Sequence, residues 1–311
     1  MKKISIGCCC YNEKDNIIDM YNALTNALTM LPEYEYEIIF SDNKSTDGSR
    51  EILKGLAKKD KNVKVILNQV NYGPSLSGIN VMRHASGDAL IILPCDFQDP
   101  PEMIVDFVKG WEEGYDIVWG QKTSGEENKI KYLCRKVFYS VIDFFADKKQ
   151  LYQVTGFGLM DKKVIDIILP IRISDPQKSL RHVVIGFGFR IKLLPYKQKK
   201  RKSGKSSYNL YRYLDFAIKS LVNTSYKPLR IITIMGCINI FISLIFLIVC
   251  FVLLLHFKNI ISIISLGQAF CYFGLSLTHF FIGIIGEYIK SVLNKVSYPT
   301  EVIEEEVINF D

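Results

Sequence analysis

The sequence predicts an α/β protein built on a mostly parallel, doubly wound sheet, followed by a membrane-spanning hairpin. Three observations lead there. Over the first 120 residues, short apolar runs alternate with segments of helical periodicity, the βαβ rhythm of parallel sheets. Ile231–Phe257 and Ile260–Gly286 are each 27 residues long and contain no Asp, Glu, Lys or Arg, where a bilayer core takes about 20 apolar residues per helix. Directly before them, between Arg190 and Arg230, stand 12 basic residues and one acid, Asp215, so that stretch carries +11 and the rest of a net +7 chain carries −4. At 311 residues and 49% hydrophobic, the chain is not disordered, and the two uncharged stretches argue against a purely soluble one.

The elements follow in order. Ile4–Cys10 reads as a buried strand, and Ile17, Tyr21, Leu24 and Leu28 lie at helical spacing within Asn16–Met30, closed by Pro32. Tyr36–Phe40 is a second strand, and Ser45-Thr46-Asp47-Gly48 offers N-caps for a helix through Lys58. Val63–Leu67, a helix over Pro74–Ala85 and the strand Ala89–Leu93 continue the rhythm. Pro100-Pro101-Glu102 opens another helix, since Pro is tolerated in a first turn, and Asp116–Trp119 is the next strand. Ile130–Phe145 reads as helical, and Val154–Leu159 and Phe189–Leu194 as further strands. Residues 196–206 form a basic loop, and 207–228 an amphipathic helix at a membrane surface. Spans are expected over 229–257 and 260–289, leaving 290–311 as a tail; the globular domain is 1–206, dividing at about 120.

The basic block fits nucleic acid in composition. Its place beside an apolar span favours anionic lipid and the cytoplasmic side, so no nucleic-acid partner is expected. Lys227 and Arg230 precede the hairpin, Lys290 and Lys295 follow it, and only Lys258 sits in its turn; both ends are therefore expected in the cytoplasm, on a multi-pass plasma-membrane protein. Eight cysteines form no C-x-x-C pair and four histidines have no ligand spacing, which leaves buried, reduced thiols as the reading. No signal peptide is read at the start.

Ligands of doubly wound sheets sit at the carboxyl ends of the strands. Three polar clusters fall there: Tyr11-Asn12-Glu13, Ser41-Asp42-Asn43 and Asp96-Phe97-Gln98-Asp99. Asp96 and Gln98 offer oxygen ligands suited to Mg²⁺ or Mn²⁺ held against a diphosphate; Asp96 alone could equally cap a turn. Asp42 can accept from a ribose hydroxyl or a base N–H, or cap the Ser41–Asp47 turn. Tyr11 and Glu13 could do similar work, or belong to a solvated loop.

IGCCCYNEKDN, EIIFSDNKSTDGS, GDALIILPCDFQDPPEMI, GYDIVWGQK, TGFGLMDKKVID, RKSGKSSY, KPLRI and GIIGEY occur in one order. Together, over about residues 3–290, they resemble the family 2 glycosyltransferases of the GT-A fold, and within these the polyisoprenyl-phosphate glycosyltransferases, relatives of dolichol-phosphate mannosyltransferase. The resemblance implies an inverting transfer of a hexose, glucose first, from a UDP-sugar to undecaprenyl phosphate, by a membrane-bound and homo-oligomeric enzyme dependent on Mg²⁺ or Mn²⁺. It implies a donor-binding set of Cys9, Tyr11, Glu13, Ser41, Asp42, Asn43, Cys95, Lys122, Arg201 and Ser207. Asp96 and Gln98 would hold the metal and diphosphate, and Arg135 and Lys205 the acceptor phosphate. The chain departs from the family pattern at Pro94, where the first acid of Asp-x-Asp-x-Gln is expected, at Asn43 for the second acid of a pair, at Cys9 for proline, at Ser207 for lysine, and in Gly156-Phe157-Gly158, which lacks an acid. Two rival readings stay open: a transferase with a lipid, glycan or protein acceptor, and a non-catalytic membrane relative that has lost metal binding.

Overall fold

The computed structural model describes residues 1–123, 151, 153–174, 180–199 and 301–310, with scattered helical positions between 245 and 296. The chain divides into two compact units. One comprises residues 1–135, 150–207 and 299–311; the other comprises 136–149 and 208–298.

The first unit is built on an eight-stranded sheet. Its strands are β1 (Lys2–Cys10), β2 (Tyr34–Asp42), β3 (Val63–Asn68), β4 (Ala89–Pro94), β5 (Ile117–Thr123), β6 (Val154–Asp161), β7 (Ile191–Lys197) and β8 (Glu304–Ile308), in the order β7-β5-β6-β4-β1-β2-β3-β8. The pairs β1–β2, β1–β4, β2–β3 and β5–β7 are parallel, whereas β6 runs antiparallel to β4 and β5 and β8 antiparallel to β3. The sheet is thus mixed and mostly parallel. The helices are α1 (Lys14–Leu28), α2 (Ser49–Lys59), α3 (Gly73–His84), α4 (Ile104–Glu112), α5 (Lys162–Ser174) and α6 (Leu180–Ile185), with a 3₁₀ turn at Pro101–Met103.

The alternation of each strand supplies two cores. Ile4, Ile6, Cys8, Cys10, Ile38 and Phe40 face one layer, with Ile17, Met20 and Leu24 of α1, Leu53 of α2 and Phe107 of α4. Ile39, Ile66, Leu90 and Trp119 face the other, with Val81 of α3, Val164 and Ile168 of α5 and Val184 of α6. A strand covered on both faces must be apolar throughout, which is why β1 and β4 read as unbroken apolar runs. Gly158 shows how tightly β6 packs: its φ is +141°, and a Cβ there would collide with the Val118 carbonyl.

Three elements differ from the sequence reading. Helices α5 and α6 were not expected; Pro170 lies inside α5 and interrupts the pattern that would reveal it. Residues 290–311, expected as a tail, include β8, which forms an edge of the sheet. Within the Ser45–Gly48 stretch expected to open α2, Gly48 is the N-cap, and Asp47 Oδ1 accepts from the Ser49 N–H at 3.0 Å. The helix expected over Ile130–Phe145, the amphipathic helix 207–228 and nearly all of the spans 229–257 and 260–289 lie outside the described residues. Among the described residues, no helix is long and apolar enough to cross a membrane.

Candidate active site

In the order β3-β2-β1-β4, β1 has β2 on one side and β4 on the other, and the chain reverses direction across the sheet there. This is the switch point where a crevice opens at the carboxyl ends of the strands. Cys10, Asp42 and Pro94 end the three strands at that crevice. Beyond them Asn12, Lys44 and Phe97 all have positive φ, 55°, 61° and 57°. That conformation is unfavourable for residues other than glycine, and such residues gather at functional sites.

The loops after β1 and β2 are stitched together. Asn12 N–H donates to Ser45 Oγ at 2.8 Å, Glu13 N–H to Ser49 Oγ at 3.1 Å and Lys14 N–H to Asp47 Oδ2 at 3.1 Å, while Asn12 Oδ1 accepts from Thr46 N–H at 2.9 Å. The Ser-Thr-Asp-Gly-Ser stretch thus joins the two loops as well as opening α2. Glu13 Oε2 accepts from Asn16 Nδ2, and Tyr11 stands 46% exposed at the rim.

Asp42 is fully buried. Its Oδ2 accepts from Arg50 Nε at 2.9 Å and from Ser45 N–H at 3.0 Å. Its Oδ1 has no hydrogen-bond partner among the described residues. A buried carboxylate oxygen left without a donor is costly, and Oδ1 is the Asp42 oxygen that no described residue serves. Its sequence neighbours are differently placed. Ser41 is fully buried, and Asn43 Oδ1 is already engaged by Asn68 Nδ2 at 3.0 Å and Ser77 Oγ at 2.7 Å. Those two side chains are tied into the protein's own polar network.

The cysteines behave as small hydrophobes. Cys8, Cys10 and Cys95 lie in one core, and Cys9 packs partly buried against the other, its thiol pushed up to about 12 by burial and by Cys95. Hydrogen bonding to Cys95 and burial raise Cys8 and Cys10 as well. Cys95 is 1% exposed, and its side chain packs in the core with Cys8 and Cys10.

Asp96 is buried and accepts from the Gln98 N–H at 3.1 Å. Asp99 closes the same loop. Its Oδ1 accepts from Tyr196 Oη at 2.5 Å and lies 3.9 Å from Lys122 Nζ. Burial raises the Asp99 carboxyl above its ordinary value against the opposing pull of Lys122 and Tyr196, and Asp96 adds to the rise. Burial and the Asp99 charge likewise raise the Tyr196 phenol. Asp99 was visible in the sequence as part of the third cluster, but nothing there paired it with Tyr196. Lys122 thereby sits at the end of β5 beside the Asp96 loop. Lys199 N–H donates to Gln98 O at 3.0 Å, so the chain enters the basic stretch next to that loop. Arg135, Arg201, Lys205 and Ser207 lie outside the described residues.

The donor set fits a hard divalent cation only with help. Among the described residues, no group of three or more His, Cys, Asp or Glu could hold a metal ion. Asp96, which accepts from the Gln98 N–H, is a single carboxylate, so a hard cation held there would complete its shell with substrate phosphate and water, as Mg²⁺ does.

The mixed, mostly parallel sheet with a switch point, and carboxylates at the ends of its strands, defines an α/β domain of the GT-A kind. More narrowly, the chain belongs to glycosyl transferase family 2, whose family model matches residues 5–168; it is a glycosyltransferase. The relatives extend beyond that region. An uncharacterized glycosyltransferase of Synechocystis sp. is 29% identical over 298 residues, 94% of this chain and 92% of that one. The bactoprenol glucosyl transferase of Shigella phage SfV is 27% identical over 316 residues, covering 98% of this chain and 99% of that one. Among solved structures, a glucosyl-3-phosphoglycerate synthase from Mycobacterium tuberculosis, in complex with Mn²⁺, UDP and phosphoglyceric acid, is 14% identical with a TM-score of 0.46, over 71% of this chain and 77% of that one.

Proposed function

We propose that this glycosyltransferase moves a hexose, glucose first, from a UDP-sugar to undecaprenyl phosphate with inversion, at the cytoplasmic face of the membrane. The observation that carries the donor half is Asp42, buried with one oxygen saturated and the other without a hydrogen-bond donor among the described residues. A single open acceptor matches uracil, which has one ring N–H. Guanine presents two adjacent donors and calls for two open oxygens, and the neighbouring Asn43 oxygen is already taken. The acceptor half is supported by the end-to-end likeness to bactoprenol glucosyl transferases and by the two uncharged stretches behind a basic block.

The chemistry follows from charge. A phosphate acceptor is anionic at neutral pH, so this chain needs no general base to activate it. Its task is to align that oxygen with the anomeric carbon and to offset charge on the departing diphosphate. Tyr11, Glu13 and Asp42 would hold the nucleoside, and Lys122, Arg201 and Ser207 the diphosphate. Arg135 and Lys205 would hold the acceptor phosphate, with Arg suited to bidentate contacts. Asp96 and Gln98 would hold Mg²⁺ or Mn²⁺, which supplies Lewis-acid stabilisation of the leaving diphosphate. The hairpin 229–257 and 260–289 would anchor the enzyme, as a homo-oligomer, beside its lipid substrate.

The test is transfer of radiolabelled sugar from a panel of UDP- and GDP-sugars to undecaprenyl phosphate, by purified protein in detergent. A labelled lipid from UDP-glucose, absent with EDTA and with Asp96→Ala, is the expected result. Product only with another class of acceptor would overturn the lipid-phosphate assignment, and product only from GDP-sugars would overturn the uracil argument.

A further inference from the structure

Asp42 is aimed by residues the sequence reading left out, and the last of them comes from the far end of the chain. Strand β8 pairs with β3 as Leu67↔Glu306 and Asn68↔Glu304, with an irregularity between Leu67 and Asn68. Glu305 is therefore the unpaired residue of a bulge, and bulges re-aim side chains. Glu305 Oε2 accepts from Arg50 Nη1 at 3.0 Å and from Lys44 Nζ at 2.6 Å. Arg50 donates at the same time through Nε to Asp42 Oδ2 at 2.9 Å and through Nη2 to the Asn68 carbonyl at 2.9 Å. The guanidinium is thus held by β2, β3 and β8 together. A planar fork fixed at three acceptors has one orientation, and that orientation decides which Asp42 oxygen is occupied and which stays open. Arg50 is only 14% exposed in its side chain, Asp42 not at all, and Glu305 41%; removing Glu305 thus perturbs the arrangement from its accessible end.

We propose that Glu305 and Arg50 are positioning residues for the donor's base: the β8 bulge fixes Arg50, and Arg50 holds Asp42 so that Oδ1 meets the base N–H. This rests on the reading of Asp42 given above. The C-terminal strand thereby takes part in donor selectivity through Arg50.

The experiment is calorimetric titration of the full chain in detergent with UDP and with N3-methyl-UDP, which lacks the ring N–H. Wild type, Glu305→Gln and Arg50→Lys are compared, with thermal melting as the folding control. The expected result is that wild type binds UDP more tightly than the methylated analogue, and that Glu305→Gln weakens UDP by about three- to tenfold, the lower part of the range for coupled neighbours, with the analogue unchanged. Arg50→Lys, a point charge that cannot span three acceptors, should do the same more strongly. Equal loss for both ligands, or no loss for either, in Glu305→Gln would show that β8 serves stability alone and overturn the proposal. If wild type binds the two ligands equally, Asp42 does not read the N–H, and the base-recognition reading fails with it.

Discussion

The opposite end of the sheet from the crevice holds a buried ion cluster whose strength can be worked out. Glu37 is 1% exposed. Its carboxylate accepts from Ser5 Oγ at 2.5 Å, Ser86 N–H at 2.8 Å and Ser86 Oγ at 2.8 Å, and pairs with Lys3 at 2.7 Å and Lys64 at 2.9 Å. Burial alone would raise this carboxyl; the hydrogen bonds from Lys3, Ser5, Ser86 and Lys64 outweigh it and hold the value at about 2, from an ordinary 4.5. At roughly 1.4 kcal/mol per pH unit, that depression amounts to about 3 kcal/mol in favour of the folded state. Because the folded value is the lower one, the contribution is complete above about pH 4.5 and is lost as pH falls toward 2. Glu37→Gln discards it at every pH and leaves two ammonium groups without their counter-ion. For a unit of this size the loss corresponds to a melting point lower by about 6–12 °C, with a flatter acid limb between about pH 4.5 and 2. Melting of the full-length protein in detergent, followed by near-UV circular dichroism across that range, measures both. If the Glu37→Gln protein melts within about 2 °C of wild type, less than the smallest shift this loss allows, or shows the same acid limb, the cluster does not stabilise the fold as argued. Donor binding at pH 7 should survive the change, since Glu37 precedes the crevice by a whole strand.

Two further outcomes follow from the packing. Tyr196→Phe removes the hydroxyl that donates to buried Asp99; the Asp99 carboxyl should rise further, and the unit should lose about 1–3 kcal/mol, the cost of stranding a buried acceptor, read as a lower melting point that recovers partly on acidification as Asp99 takes up its proton. Gly158→Ala places a Cβ against the Val118 carbonyl at φ +141°, beyond what a strand can absorb, so this variant should fail to give a folded, monodisperse protein, whereas Gly55→Ala, where no atom lies within 4 Å of the added Cβ, should behave as wild type on size exclusion.

The first five strands and four helices were legible because each carries its own local signal. β1 and β4 are covered on both faces and so read as unbroken apolar runs, and the buried positions Ile17, Met20, Leu24 and Leu28 of α1 recur at helical spacing. The three polar clusters were legible for the same reason: a strand that ends at a crevice changes from apolar to polar within two residues. Family membership was readable from eight motifs in order, since such motifs are local strings.

Everything that joins distant residues had to wait for the folded sheet. The direction of β6, antiparallel between two oppositely connected neighbours, depends on hydrogen-bond partners that no local pattern names. Ser41 and Asp42 are adjacent letters of equal promise and both are fully buried, yet only the folded sheet brings Arg50 to Asp42. Asp99 and Tyr196 are 97 residues apart and Arg50 and Glu305 are 255 apart; a side chain at such separation acquires its partner only when the sheet has closed. The acidic run Glu304-Glu305-Glu306 reads as a solvated tail because charge without periodicity carries no strand signal. Its role arises from Lys44, Arg50 and Lys54, which wait on the folded edge and pair with it at 2.6, 3.0 and 2.5 Å. Local strings of residues specify which kinds of group this glycosyltransferase carries at its strand ends; the closed sheet, by choosing their partners, settles which carboxylate oxygens are hydrogen-bonded.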